Sequence, residues 1–240
     1  MAADATGAEA AIVSDCLKNF KMAFSVEGIN QELAHNLSGQ VKSFCETFKH
    51  LFEIKEIDFK IKIHNSREEF EKALGRKTMK WEVGNGYDKI INLISKDKFS
   101  IETSHNEEEF YLILKHEIGH IFYFSRFKTH MPIWLNEGIC SFYGTPKSGS
   151  ILKKNKAILQ NFSFDKMHFP ADFRKFDSTL RYEIVCSIIK KIIKDCGEEG
   201  LRKFIKAIEN PSSIKEIKQK FMLVFSKSPE KFVEEWLNEI

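Results

Sequence analysis

Apolar residues recur along this chain at two different periods, and the change of period divides it. In residues 29–52, "INQELAHNLSGQVKSFCETFKHLF", Leu33, Leu37, Val41, Phe44, Phe48 and Leu51 fall at helical spacing. In "KEIDFKIKIH", Ile57, Phe59, Ile61 and Ile63 alternate with charges, which predicts a half-buried strand. "SREEFEKAL" predicts a helix with Ser66 as N-cap and Glu69 three residues on. "WEVGNGYDKIINLIS" sets Asn85-Gly86 between two β-type runs and predicts a hairpin turning there.

From Phe110 to Phe124 the chain is apolar almost all round, the mark of a buried helix, with Ser104 and Glu107 as a capping box ahead of it. "GTPKSG" (144–149) reads as a boundary. Beyond it the pattern is helical: 151–160, 179–195 closed by Gly197, 198–208 stopped by Pro211, 213–225, and 229–239 begun by Ser228-Pro229. The domain reading is a leader over 1–25, disordered or foreign to the protein at its start, an α+β subdomain over 26–145 and a helical subdomain over 146–240.

Composition narrows the class. A chain of 240 residues can bury one large domain or two subdomains sharing a cleft. A net charge of +3 from dispersed lysines argues against nucleic acid or a membrane surface as partner. No stretch approaches the ~18 apolar residues of a membrane helix. The start, "MAADATGAEAAIVSD", lacks the basic and apolar regions of a signal peptide. The 22 phenylalanines read as core filling. The 5 cysteines are odd in number and lack C-x-x-C spacing, so a reducing, cytoplasmic location is expected. A secreted protein whose signal had been removed would read the same. Oligomeric state leaves no trace in the pattern.

The chemistry lies in "KHEIGHIFYF" (115–124), where an apolar helix carries three polar groups. Residues four apart on a helix project about 40° apart and about 6 Å along the axis, so His116 and His120 can share one metal ion. Glu117 sits about 100° round, beside such an ion, where H-E-x-x-H zinc enzymes keep their general base. A lone H-E-x-x-H also arises by chance, and a third ligand decides. Catalytic zinc takes three protein ligands and leaves a position open. Eleven residues after His120 begins "MPIWLNEGICSFYG". Taken alone, Glu137 there could be a solvated glutamate. Trp134, Leu135, Ile139 and Phe142 would bury its segment, however, and a buried carboxylate needs a cation. His130 could be a ligand only in place of Glu137. His35, His50, His64 and His105 have no ligand spacing.

These residues carry a resemblance. "HEIGH" followed by "MPIWLNEGICSFYG" resembles the gluzincins, the thermolysin and aminopeptidase N clan of zinc metallopeptidases, nearest to the compact peptidase MA-like group. The likeness is sharp over 107–144 and extends weakly to "RYEIVCSIIKKIIKDCGEEGLRKFIKAI". It implies His116, His120 and Glu137 as zinc ligands and Glu117 as general base; Trp134, Asn136 and Gly138 match the motif without needing to touch the metal. It also implies Tyr182 as an oxyanion donor, for which a core tyrosine is the competing reading. Arg181 and His168 read as surface or loop residues. Two departures stand out. No Gly-Ala-Met-Glu-Asn-like segment is present to hold a free N-terminus, and Ser141 stands where relatives carry an aspartate.

The resemblance implies an α+β, zincin-type fold, its β-containing N-terminal and helical C-terminal subdomains flanking a zinc cleft. It implies Zn2+ as cofactor, a peptide or protein as substrate, and hydrolysis by a zinc-activated water. It places an edge strand within 81–95. The alternatives are a zinc hydrolase of a non-peptide amide or acyl compound, and a non-catalytic binding protein on the same fold.

Overall fold

The protein is described from a computed structural model covering residues 11–17, 20–29, 31–129, 131–146, 149–159, 162–209 and 213–240. His130 and Pro211 lie outside these. The chain divides into two compact units, residues 1–49 with 54–122, and residues 50–53 with 123–240.

The first unit is built on a five-stranded mixed sheet in the order β1-β2-β3-β5-β4. β1 (Ala11–Leu17) and β2 (Phe20–Glu27) form an antiparallel hairpin. The leader expected over 1–25 is therefore folded from Ala11 onward. The reason lies in β2: Phe20, Met22, Phe24 and Val26 alternate with exposed or half-buried residues and are buried, a strand pattern overlooked because small residues dominate the first ten positions. Next come α1 (Gln31–Phe52), β3 (Glu56–His64) and α2 (Arg67–Leu74), close to expectation. β3 runs parallel to both β2 and β5 (Ile90–Ile94). Ser66 accepts from the Glu69 N–H, as its position predicts.

The hairpin corrects one expectation. Asn85 and Gly86 do not turn; they lie inside β4 (Gly84–Tyr87), which pairs antiparallel with β5 in the register Tyr87↔Ile90. The two-residue turn is Asp88-Lys89, both at positive φ (45° and 64°), as a type I′ turn demands. β5 is interior and β4 is the sheet edge.

After a 3₁₀ turn at Lys96–Lys98 and the short α3 (Phe99–Glu102) comes α4 (Glu109–Phe127). Its N-terminus is capped by Asn106, whose side chain accepts from the N–H groups of Glu108 and Glu109 while Glu109 reaches back to the Asn106 N–H. The capping box thus sits two residues beyond the expected Ser104/Glu107 pair. Residues 109–122 of α4 belong to the first unit, where Phe122 packs on Phe20 of β2 (6.3 Å between ring centres) and Phe48 of α1 (5.8 Å).

The second unit is helical and takes in the last turn of α4. Within it α5 (Ile133–Tyr143) packs on α9 (Ser178–Ala207). Gly138 makes this possible: a Cβ there would lie 2.8 Å from both Ile189 Cγ1 and the Val185 carbonyl. The short helices α6 (Ser150–Lys154), α7 (Lys156–Leu159) and α8 (Pro170–Phe173) precede α9. Buried Glu183 of α9 accepts from the Ile151 and Leu152 N–H groups at the start of α6. α9 breaks at Gly197 (φ 69°), where the sequence closes one helix and opens another. α10 (Ile214–Phe225) and α11 (Pro229–Glu239) begin at Ser213 and Ser228 caps. Phenylalanine fills this core: Phe221 packs edge-on or tilted against Phe164, Phe204, Phe225 and Phe232. Among the described residues no helix is long and apolar enough to cross a membrane.

Candidate metal centre

On α4, Leu114, Ile118, Ile121 and Phe122 are fully buried, and His116, Glu117 and His120 share the helix with them, each at most 9% exposed. The four-residue spacing brings the two imidazoles together: their Nε2 atoms are 3.1 Å apart and their rings stand nearly perpendicular. On α5, Trp134, Leu135 and Ile139 are buried, as their pattern predicts, and Glu137 is half-buried between them. His116 and His120 so offer two imidazole nitrogens to one ion from the first unit, while Glu137 lies in the second. Ligands bound at about 2.0–2.2 Å to a single tetrahedral ion stand roughly 3–4 Å apart. The two imidazole nitrogens, 3.1 Å apart, fall in that range and fit zinc.

Glu117 points elsewhere, to β4. Its Oε2 accepts from the Gly86 N–H at 2.6 Å. A Cβ at Gly84 would lie 2.8 Å from Glu117 Oε1, and one at Gly86 would lie 2.5 Å from the Glu117 carbonyl oxygen. Both glycines are therefore where they are because the motif helix passes against the strand, and not to make a turn. The hairpin register and the Ile94 N–H bond to the Val83 carbonyl turn the backbone of Val83, Asn85 and Tyr87 toward β5. Gly84 and Gly86 consequently face outward along the sheet edge. Sequence reading missed both as site residues; the signal was present, since a G-x-G run in a strand marks close backbone approach as well as a turn.

The remaining candidates separate. Tyr182, the fifth residue of α9, packs edge-on to Phe173 (5.8 Å), with the Arg181 guanidinium over both rings. His168 lies deep in the second unit at 2% exposure, and neither ring nitrogen has a hydrogen-bond partner among the described residues. Burial holds its pKa down, to about 4. His64 bonds Asn92 across β3 and β5, and His105 bonds the Trp81 carbonyl; both are structural. Tyr123, whose hydroxyl donates to the Pro132 carbonyl at 3.4 Å, ties the end of α4 to the residue before α5. Ser141 is fully buried on α5.

A scan against protein-family models finds no match, and a search of curated proteins finds none. Solved structures do match. An M1 zinc metallopeptidase from Deinococcus radiodurans superposes at a TM-score of 0.58 with 9% identity, over 95% of this chain and 51% of that one. A mutant of an M1 zinc metallopeptidase from the same organism gives 0.58 and 10%, over 95% and 52%. This chain therefore spans about half the length of the structures it matches. At such identity the likeness is one of fold: a mixed α+β architecture of the kind found in M1 peptidases.

Proposed function

We propose that the protein is a zinc-dependent metallopeptidase with His116, His120 and Glu137 as metal ligands and Glu117 as general base. The observation that carries this reading is the pair of imidazoles on one helix, their Nε2 atoms 3.1 Å apart, with the Glu117 carboxylate on the same helix. The M1-like fold supports it independently of the motif. Bound there, zinc would supply Lewis acidity toward the scissile carbonyl and the attacking water.

The chain's own groups do the rest. Glu117 takes the proton of the attacking water and passes it to the departing amine, one carboxylate serving as base and then as acid. The Gly86 N–H holds one of its oxygens in place. A substrate peptide lies extended along the outward edge of β4, pairing with main-chain groups other than the Gly86 N–H, which Glu117 takes. Tyr182 is proposed as the oxyanion donor, on the resemblance alone. The substrate is a peptide or protein.

Metal analysis of the purified protein combined with Glu117→Gln tests the reading. About one zinc per chain is expected in both proteins, with turnover of a peptide library reduced about 10²–10⁴-fold in the variant. Near wild-type turnover in zinc-loaded Glu117→Gln would remove Glu117 from the mechanism. A zinc-loaded wild type that leaves every peptide intact but cleaves other amides or esters would move the substrate class.

A further inference from the structure

Between α2 and β4 the main chain of residues 78–82 is bonded almost residue by residue, chiefly by one side chain. The Arg67 guanidinium donates to the carbonyls of Met79 (3.1 Å), Lys80 (3.1 Å) and Glu82 (3.3 Å) and to Thr78 Oγ1 (2.8 Å). Its Nε donates to the Glu102 carbonyl at 3.0 Å. Ser104 N–H donates to the Lys80 carbonyl, and His105 Nε2 lies 2.9 Å from the Trp81 carbonyl. With the carbonyls engaged, the side chains of Met79 and Trp81 stand outward, 65% and 36% exposed. Single exposed apolar residues are ordinary. Two on one tightly held turn that runs directly into an open sheet edge are a prepared surface.

The turn and the edge are continuous. Only Glu82 and buried Val83 separate Trp81 from Gly84, the strand position that abuts the Glu117 carboxylate. Three residues of chain span at most about 10 Å. A peptide extended along β4 advances about 3.3 Å per residue. The residue passing Trp81 is therefore two or three away from the residue opposite Glu117.

Resting on the peptidase reading above, we propose that Met79 and Trp81 form an apolar subsite selecting substrates with a large apolar side chain two or three residues from the scissile bond. The occupant is the substrate peptide itself, continuing off the end of the strand onto the turn. Arg67 is the positioning residue, because its guanidinium holds the turn through main-chain bonds and makes no bond to either side chain.

The test uses the zinc-loaded full chain and a set of alanine-rich peptides in which a single leucine is moved position by position. Cleavage by the wild type gives kcat/KM for each peptide. Zinc-loaded Glu117→Gln gives binding without turnover, read by the anisotropy of a dye-labelled peptide. Trp134 and Trp236 are buried, so iodide quenching of intrinsic fluorescence reports on Trp81. The expected result is a leucine preference of about tenfold at one position, two or three residues from the cut, together with protection of Trp81 from iodide. The double variant Met79→Ala, Trp81→Ala should lose that preference, cutting leucine-bearing and all-alanine peptides at one common rate, and Trp81→Phe should keep it. A double variant that retains the leucine preference overturns the subsite and leaves the peptidase reading standing. A zinc-loaded wild type that neither binds nor cuts any peptide of the set overturns both.

Discussion

The Gly86 main-chain N–H donates to Glu117 Oε2 at 2.6 Å, joining the edge strand to the motif helix across 31 residues of chain. Gly84 closes on the same carboxylate, since a Cβ there would lie 2.8 Å from Oε1. That obstacle is the end of a side chain and can move, so Gly84→Ala should fold and bind zinc with its base displaced. Displacements of about 1 Å can cost roughly a hundredfold in rate, and kcat is expected to fall about ten- to hundredfold. Steady-state kinetics alongside zinc analysis checks this; unchanged kcat would mean that the base has room to spare.

Gly138 poses the opposite case. The atoms a Cβ would meet include the Val185 carbonyl, 2.8 Å away, and backbone cannot step aside. Gly138→Ala should push α5 off α9 and lower stability by about 1–3 kcal/mol, the cost of overpacking a filled core. Urea unfolding with an unchanged m-value would show the effect as loss of stability; a midpoint equal to wild type would contradict the packing.

Metal removal should loosen the fold as well as silence it. A ligand that binds only the native state stabilises it by about 4 kcal/mol at a thousandfold excess over Kd. Stripping zinc with a chelator is therefore expected to lower the melting temperature of the wild type. His120→Ala should melt at one temperature with and without zinc, and a zinc-dependent shift in that variant would exclude His120 as a ligand.

His168 predicts a pH effect away from the metal. Burial is the main cause of its depressed pKa, about 4 against an ordinary 6.5, with the nearby Lys218 charge acting in the same direction and Asp165 opposing. Above pH 6.5 the ring is neutral in both folded and unfolded chains, and its contribution is fully present. As pH falls from 6.5 toward 4 the unfolded chain binds a proton that the folded protein refuses. Stability should then drop, by at most about 3 kcal/mol from this group. His168→Phe has no proton to gain. Urea midpoints at pH 7 and pH 5, with chelator throughout, should fall less for His168→Phe than for wild type; equal falls would remove His168 as the cause.

Much of the fold is legible in residue order because its signals are local. Ser66 and Ser228 cap the helices their positions predict, and Gly197 breaks α9 where it must. The alternation in β3 and the apolar turns of α1 follow from burial at periods of two and 3.6 residues. Where local signals compete, the reading slips. Asn106 takes the cap from Ser104, and Asn85-Gly86 yields its turn to Asp88-Lys89, because a G-x-G run has the same appearance whether it turns or admits a neighbour.

The sequence by itself determines that His116 and His120 share a helix face, since helical geometry fixes residues four apart without reference to the rest of the chain. It also determines that Glu137 lies in a segment too apolar to stay exposed. Only the tertiary structure decides that β4 is the edge, that its two glycines are spaces for Glu117, and that Arg67 holds the Met79–Trp81 turn beside it. Those relationships join segments tens of residues apart through hydrogen bonds and close approach, and no local period records which strand a helix will pass.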